Sequence, residues 1–173
     1  MTDEKFIPQL TREEARRCAS NYPAAEDAPA LEAGLRIAAG DYSRDNLQVI
    51  YKWKAKDRGR SRLKHNSDAE IKDALRLAVM AKEPRSAIAV LKGIYGVDTP
   101  VASAIATAIK PDSYTIIDFR ALKSLGTSAL SPSIPFYLKY LAFCINLAAD
   151  WGMSLRDLDR ALWQWSSDQS KRH

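Results

Sequence analysis

The sequence predicts an all-α fold, a bundle of eight or nine helices, and three features of it carry that reading. Apolar residues recur at three- and four-residue spacing through most of the chain. Strand-like alternation is nearly absent; residues 113–117 (SYTII) are the one candidate and are too short to build a sheet. The connections are short and are marked by Pro, Gly and capping residues. With 173 residues, 46% of them hydrophobic, the chain can form one core of ordinary size, so a single helical domain over 1–173 is the simplest organisation.

Each element follows from its own residues. Thr11 ahead of Glu13 and Glu14 reads as a cap with an acidic first turn, opening a helix through Ala19. Pro23 and Pro29 bracket a mobile acidic connection. Residues 30–40 make a second helix with Leu31, Leu35 and Ile37 near one face. Ser43 caps a third, in which Leu47, Ile50 and Tyr51 form a buried stripe. Asn66 or Ser67 caps the helix over 67–81, which turns Ile71, Leu75 and Ala78 to a common face, and Pro84 opens the next.

That helix ends at Gly93 and Gly96, and Thr99-Pro100 opens another that is almost wholly apolar and small. Such a helix is buried, which makes it the centre of the bundle. Lys110-Pro111 stops it, and FRALKSLG (119–126) is helical again. A long helix over 134–151 carries Tyr137, Tyr140 and Trp151. Ser154, with Asp157 three residues on, starts the last helix, along which Leu155, Leu158, Leu162 and Trp165 form a stripe. Residues 168–173 are a polar, frayed tail.

Charge is unevenly spread. The net charge is +5, yet residues 52–64 alone hold seven Lys or Arg against one Asp, so the rest of the chain is nearly neutral. A patch of this kind suits a protein that follows a phosphate backbone, with a solvated loop as the plainer alternative. Beyond Lys56 the alternation of basic and small residues predicts an extended loop. Trp53, between Lys52 and Lys54, is either a surface for base stacking or a core anchor.

The hairpin at 91–105 and Asp118 are the candidates for chemistry. Glycines just before a helix start let a backbone approach closely and leave N–H groups for a phosphate; taken alone, a helix-capping glycine is the plainer account of them. Asp118 lies at the start of a helical segment, where it serves as an N-cap unless it has a further task.

Together GVDTPVASAI (96–105) and IIDFR (116–120) resemble the helix-hairpin-helix DNA glycosylase superfamily. Its hairpin reads roughly L-x-G-V-G-x-K-x-A, and a V-D-x-H/R element with the catalytic aspartate follows. The resemblance implies a glycosylase-like helical bundle and DNA as partner. It also implies hydrolysis of the N-glycosidic bond of a damaged or modified base, with Asp118 as the carboxylate facing C1′. The expected DNA contacts are Lys52, Lys54, Arg58, Arg60, Arg62 and Lys64 of the basic segment, Lys92, Gly93, Gly96, Val97, Asp98 and Thr99 of the hairpin, and Arg120. The expected base pocket is drawn from Trp53, Tyr95, Tyr137 and Trp163, each with a core role as its alternative.

Two departures narrow the expectation. Asp98 replaces the hairpin's second glycine, which puts a carboxylate where a phosphate is expected. Pro100 stands where the superfamily's Schiff-base lysine would be, so the enzyme is expected to be monofunctional and to use water. Cys18 and Cys144 form no CxxC or Cys/His cluster, which leaves no iron–sulfur loop, no metal and no cofactor in the expectation. The substrate stays open between an alkylated or oxidised base and a bulky modified cytosine of phage DNA, the latter making the protein a defence factor. A non-catalytic DNA-binding module that keeps the hairpin is the alternative. No apolar run is long enough to span a bilayer, and a monomer in a reducing cytoplasm is the default.

Overall fold

A computed structural model describes residues 5–56 and 60–171, and only the backbone of Arg60; within these the chain is helical and contains no strand. The described helices are α1 (Arg12–Asn21), α2 (Ala28–Ala38), α3 (Arg44–Ala55), α4 (Arg60–Leu63), α5 (Asp68–Met80), α6 (Pro84–Lys92), α7 (Thr99–Ile109), α8 (Phe119–Ser124), α9 (Ile134–Trp151) and α10 (Leu155–Lys171). A single 3₁₀ turn, Ala24–Glu26, precedes α2. None of these helices is long and apolar enough to cross a membrane.

Capping explains why several of them start where they do. Thr11 and Glu14 form a reciprocal capping box on α1, and Ser67 and Glu70 form another on α5. Ser154 Oγ accepts from the Asp157 amide at 3.0 Å and opens α10. Ser43 stands at the start of α3 but makes no capping bond.

Four expectations are corrected. The helix α2 starts at Ala28, with Pro29 in its first turn, where a missing N–H costs nothing. Its buried face is Ala30, Ala33, Gly34 and Ile37, whereas Leu35 is 61% exposed. Residues 60–63, expected as loop, form the extra short helix α4. Residues 168–171, expected to fray, continue α10, with Gln164 Nε2 donating to Asp168 Oδ1 at 2.8 Å one turn on.

The centre of the bundle is α7. Every residue of it except Pro100 is buried. Helices α2, α3 and α6 pack around it, and α1 and α8 lie against α10. Gly34 sets the approach of α2: a Cβ there would fall 2.0 Å from the Ala108 carbonyl oxygen, so only glycine allows the two helices to come this close. Both cysteines are buried and neither is in a disulfide; burial pushes the Cys144 thiol up, away from reactivity.

The segment Tyr114–Ile117, buried throughout, leads from α7 to α8. It runs extended without a partner strand, so its backbone groups need side chains to satisfy them. Tyr137 Oη donates to the Thr115 carbonyl at 3.0 Å, Tyr140 Oη donates to the Ile116 carbonyl at 2.8 Å, and the Ile117 amide donates to Ser103 Oγ at 3.1 Å. Two tyrosines from α9 and a serine from α7 thus strap this segment in place. Asp118 is the next residue.

Candidate functional site

Asp118 is the N-cap of α8 and uses its two carboxylate oxygens differently. Oδ1 accepts from the Ala121 amide at 2.9 Å, and Oδ2 lies 3.1 Å from Lys54 Nζ. The two side chains are 18% and 14% exposed, so the pair is largely withdrawn from water yet reachable from one side. The cap fixes the carboxylate's orientation, and the ammonium lies against its other oxygen.

Trp53, the neighbour of Lys54 on α3, joins a buried polar network. Asp27, wholly buried, accepts on Oδ1 from Tyr22 Oη at 2.8 Å and from Trp53 Nε1 at 3.2 Å. Its Oδ2 accepts from Arg156 Nη2 at 2.5 Å and from Arg160 Nε at 3.0 Å. Four donors and two cations offset the cost of burying this carboxylate. Arg156 also pairs with Asp159, which is itself buried. Burial, opposed by Arg156 and helped by the negative charges of Asp118 and Asp27, pushes the Asp159 carboxyl up to about 6. Burial and the Asp27 charge likewise raise the Tyr22 phenol.

This network corrects the expectation for Trp53. Its indole N–H is committed to Asp27, and Arg156 lies 5.5 Å above its ring, so it anchors α3 instead of reaching for a base. Sequence reasoning missed Asp27, Tyr22, Arg156, Asp159 and Arg160. The one signal was Asp157 and Asp159 interleaved with Arg156 and Arg160 on the last helix; nothing marked Asp27.

The structure brings the hairpin and the basic segment together. Asn66 is buried, and its side chain grips the Tyr95 peptide: Nδ2 donates to the Tyr95 carbonyl at 3.0 Å, and Oδ1 accepts the Tyr95 amide at 2.8 Å. Arg44 donates to the Leu63 and Asn66 carbonyls and pairs with Asp68, tying α3 to the junction of α4 and α5. Tyr51 Oη donates to the Gly96 carbonyl at 3.1 Å. Lys52, Arg62, Lys64, Lys92 and Tyr95 are all exposed, and the Tyr95 ring meets His65 edge-on at 5.6 Å. Arg58 lies outside the described residues, as does the side chain of Arg60.

The hairpin residues also have tasks within the fold. Gly96 has φ +93°, as its turn requires, but a Cβ there would meet Arg62 Cβ at 2.8 Å; the close approach is to α4, not to an open surface. Asp98 caps α7 with its own carboxylate, accepting from the Val101 amide at 2.9 Å, which occupies part of the proposed anion site. Val97 and Thr99 are buried and have no side-chain surface to offer DNA. Gly93 is the C-cap of α6 in ordinary right-handed conformation.

The remaining aromatics divide. Tyr137 is wholly buried, its hydroxyl spent on Thr115, so it shapes the strap and walls no pocket. Trp163 is half-buried, edge-on to Tyr22 at 5.6 Å, with the Arg120 guanidinium 5.2 Å from its ring. Two surface hollows, of about 310 and 340 Å³, are lined by residues between Ala129 and Lys139 and by residues of the α1 and α9–α10 ends such as Arg16, Ser20, Met153 and Asp157. Neither includes Asp118. Comparison with protein-family models, with curated proteins and with solved structures finds no match for this chain.

Proposed function

We propose that the chain is a DNA N-glycosylase of the helix-hairpin-helix type, monofunctional, with Asp118 as its catalytic carboxylate. The observation that carries this is the placement of Asp118: at the end of a strapped, buried segment, oriented by the α8 cap and still partly open to the outside. Water adds its hydroxyl to C1′ as the C1′–N bond breaks, and its proton goes in the end to the departing base. Positive charge develops on the sugar in between. An oriented carboxylate in a site of low polarity stabilises that charge, an effect worth about 3–4 kcal/mol per well-placed group. Turning the base out of the helix costs a few kcal/mol more, which contacts to the distorted backbone offset.

Exposed cations of the basic segment and hairpin, Lys52, Arg62, Lys64 and Lys92, supply the phosphate grip in this reading. Pro100 supplies no amine, and the Lys54 ammonium is engaged by Asp118. The strand is therefore expected to stay intact after base loss until alkali is added. The test is incubation with plain DNA, with DNA carrying oxidised or alkylated bases, and with phage DNA bearing bulky modified cytosines, followed by alkaline cleavage.

A second reading, a DNA-binding module without turnover, is favoured by one observation: Lys54 covers a carboxylate oxygen of Asp118. Salt-dependent DNA binding with no alkali-labile product from any of these substrates would select that reading.

A further inference from the structure

Phe119 follows Asp118 directly and is 70% exposed, more than any other described aromatic side chain. A ring of this size left in water forgoes the burial that the adjacent core would give it. Arg120 lies against it, the guanidinium carbon 5.1 Å from the Phe119 centroid and 5.2 Å from that of Trp163. The cation is thus shared between two rings. Arg120 Nη1 is enclosed and donates to no acceptor among the described residues, while the neighbouring carboxylate, Asp118, is paired with Lys54 instead.

A guanidinium held by rings and not by a carboxylate keeps its charge uncancelled and a donor unused. What lands on the open face of Phe119 must be flat and unsaturated to stack. It must not be a cation, because the positive charge behind the ring repels one. We propose that Phe119, backed by Arg120 and Trp163, is the stacking platform for a nucleobase turned out of the helix. The base it takes is neutral, such as an oxidised purine or a modified cytosine, and not an N-alkylated cation. This rests on the glycosylase reading and narrows its substrate class.

The test uses the full chain and three duplexes that differ at one position: fully paired, with a bulged guanine, and with a bulged 7-methylguanine measured near pH 6, where that base is a cation. The bulged guanine is expected to bind tighter than the paired duplex. Phe119→Ala should weaken it by about 5- to 100-fold and leave the paired duplex unchanged, the loss expected for one stacked base, and Phe119→Trp should restore it. The methylated base should bind several-fold more weakly than guanine, and Arg120→Gln should narrow that gap. Wild-type preference for the bulge with no effect of Phe119→Ala would overturn the platform alone. So would an equal loss on the paired duplex, which makes Phe119 a general backbone contact. A cationic base bound as tightly as guanine would overturn the substrate class, and no binding to any duplex would overturn the glycosylase reading together with the platform.

Discussion

Lys54 Nζ sits 3.1 Å from Asp118 Oδ2, although the two residues are 64 apart in the chain and come from α3 and the start of α8. The pair joins the basic segment to the candidate catalytic carboxylate, so a change in one is felt by the other.

Lys54→Met leaves the carboxylate without its counter-charge while the cap still holds it. The expected cost is about 1–3 kcal/mol, below the cost of breaking a fully buried pair because both side chains keep some water. The double variant Lys54→Met/Asp118→Asn should cost less than the two single changes added, since the unpaired charge is gone. Urea unfolding of the four proteins measures this. Strict additivity would mean that solvent already screens the pair.

Gly34→Ala inserts a methyl group 2.0 Å from the Ala108 carbonyl oxygen, a backbone atom that cannot swing aside. Helices α2 and α7 must separate, at an expected cost of about 3 kcal/mol or more. For a chain of this size that lowers Tm by roughly 6–12 °C. An unchanged melting temperature would contradict the close packing of these two helices.

Much of the fold is legible in the sequence because helix periodicity and capping are local. Thr11 with Glu14, Ser154 with Asp157, and the small apolar run of α7 all predict what is found. The face of α2 was not legible: Leu35 fits an apolar stripe, but the neighbour is a backbone carbonyl that only Gly34 can meet, so the helix turns its small residues inward. Helix α4 is four residues long, too short for a period to show. In the candidate site, Asp118 was legible as a helix start. Its partner Lys54 and the buried Asp27 were not, because Lys54 meets Asp118 across 64 residues and Asp27 meets Arg156 across 129, while residue spacing records only near neighbours.

The buried Asp159 gives a pH dependence of known sign. Its folded carboxyl is raised to about 6 by burial, above the unfolded value, so its contribution to stability is fully present in acid and is lost as pH rises through about 6. The stability difference between wild type and Asp159→Asn should therefore fall from about pH 4 to about pH 7 and stay level above that. Denaturant melts across that range check it. A difference that grows with pH would mean that the Arg156 pair holds this carboxyl below its ordinary value.

DNA affinity should depend steeply on salt and run through the basic segment. Replacing Arg58, Arg60 and Arg62 with Gln together should flatten the slope of log affinity against log salt by about 0.9 for each phosphate no longer neutralised, roughly one to three in total. A slope that does not change would mean that the charges of this segment are merely solvated.

The central claim is that Asp118 stabilises the sugar cation, and Asp118→Asn tests it most directly. Asparagine caps a helix about as well as aspartate, so α8 should persist, with a modest loss of stability from the broken Lys54 pair. On whichever modified DNA the wild type attacks, excision by Asp118→Asn should fall by at least ~100-fold while DNA affinity stays level or rises slightly. Excision at the wild-type rate by Asp118→Asn, or a wild-type protein that binds DNA but releases no base from any of the modified substrates, would contradict the account.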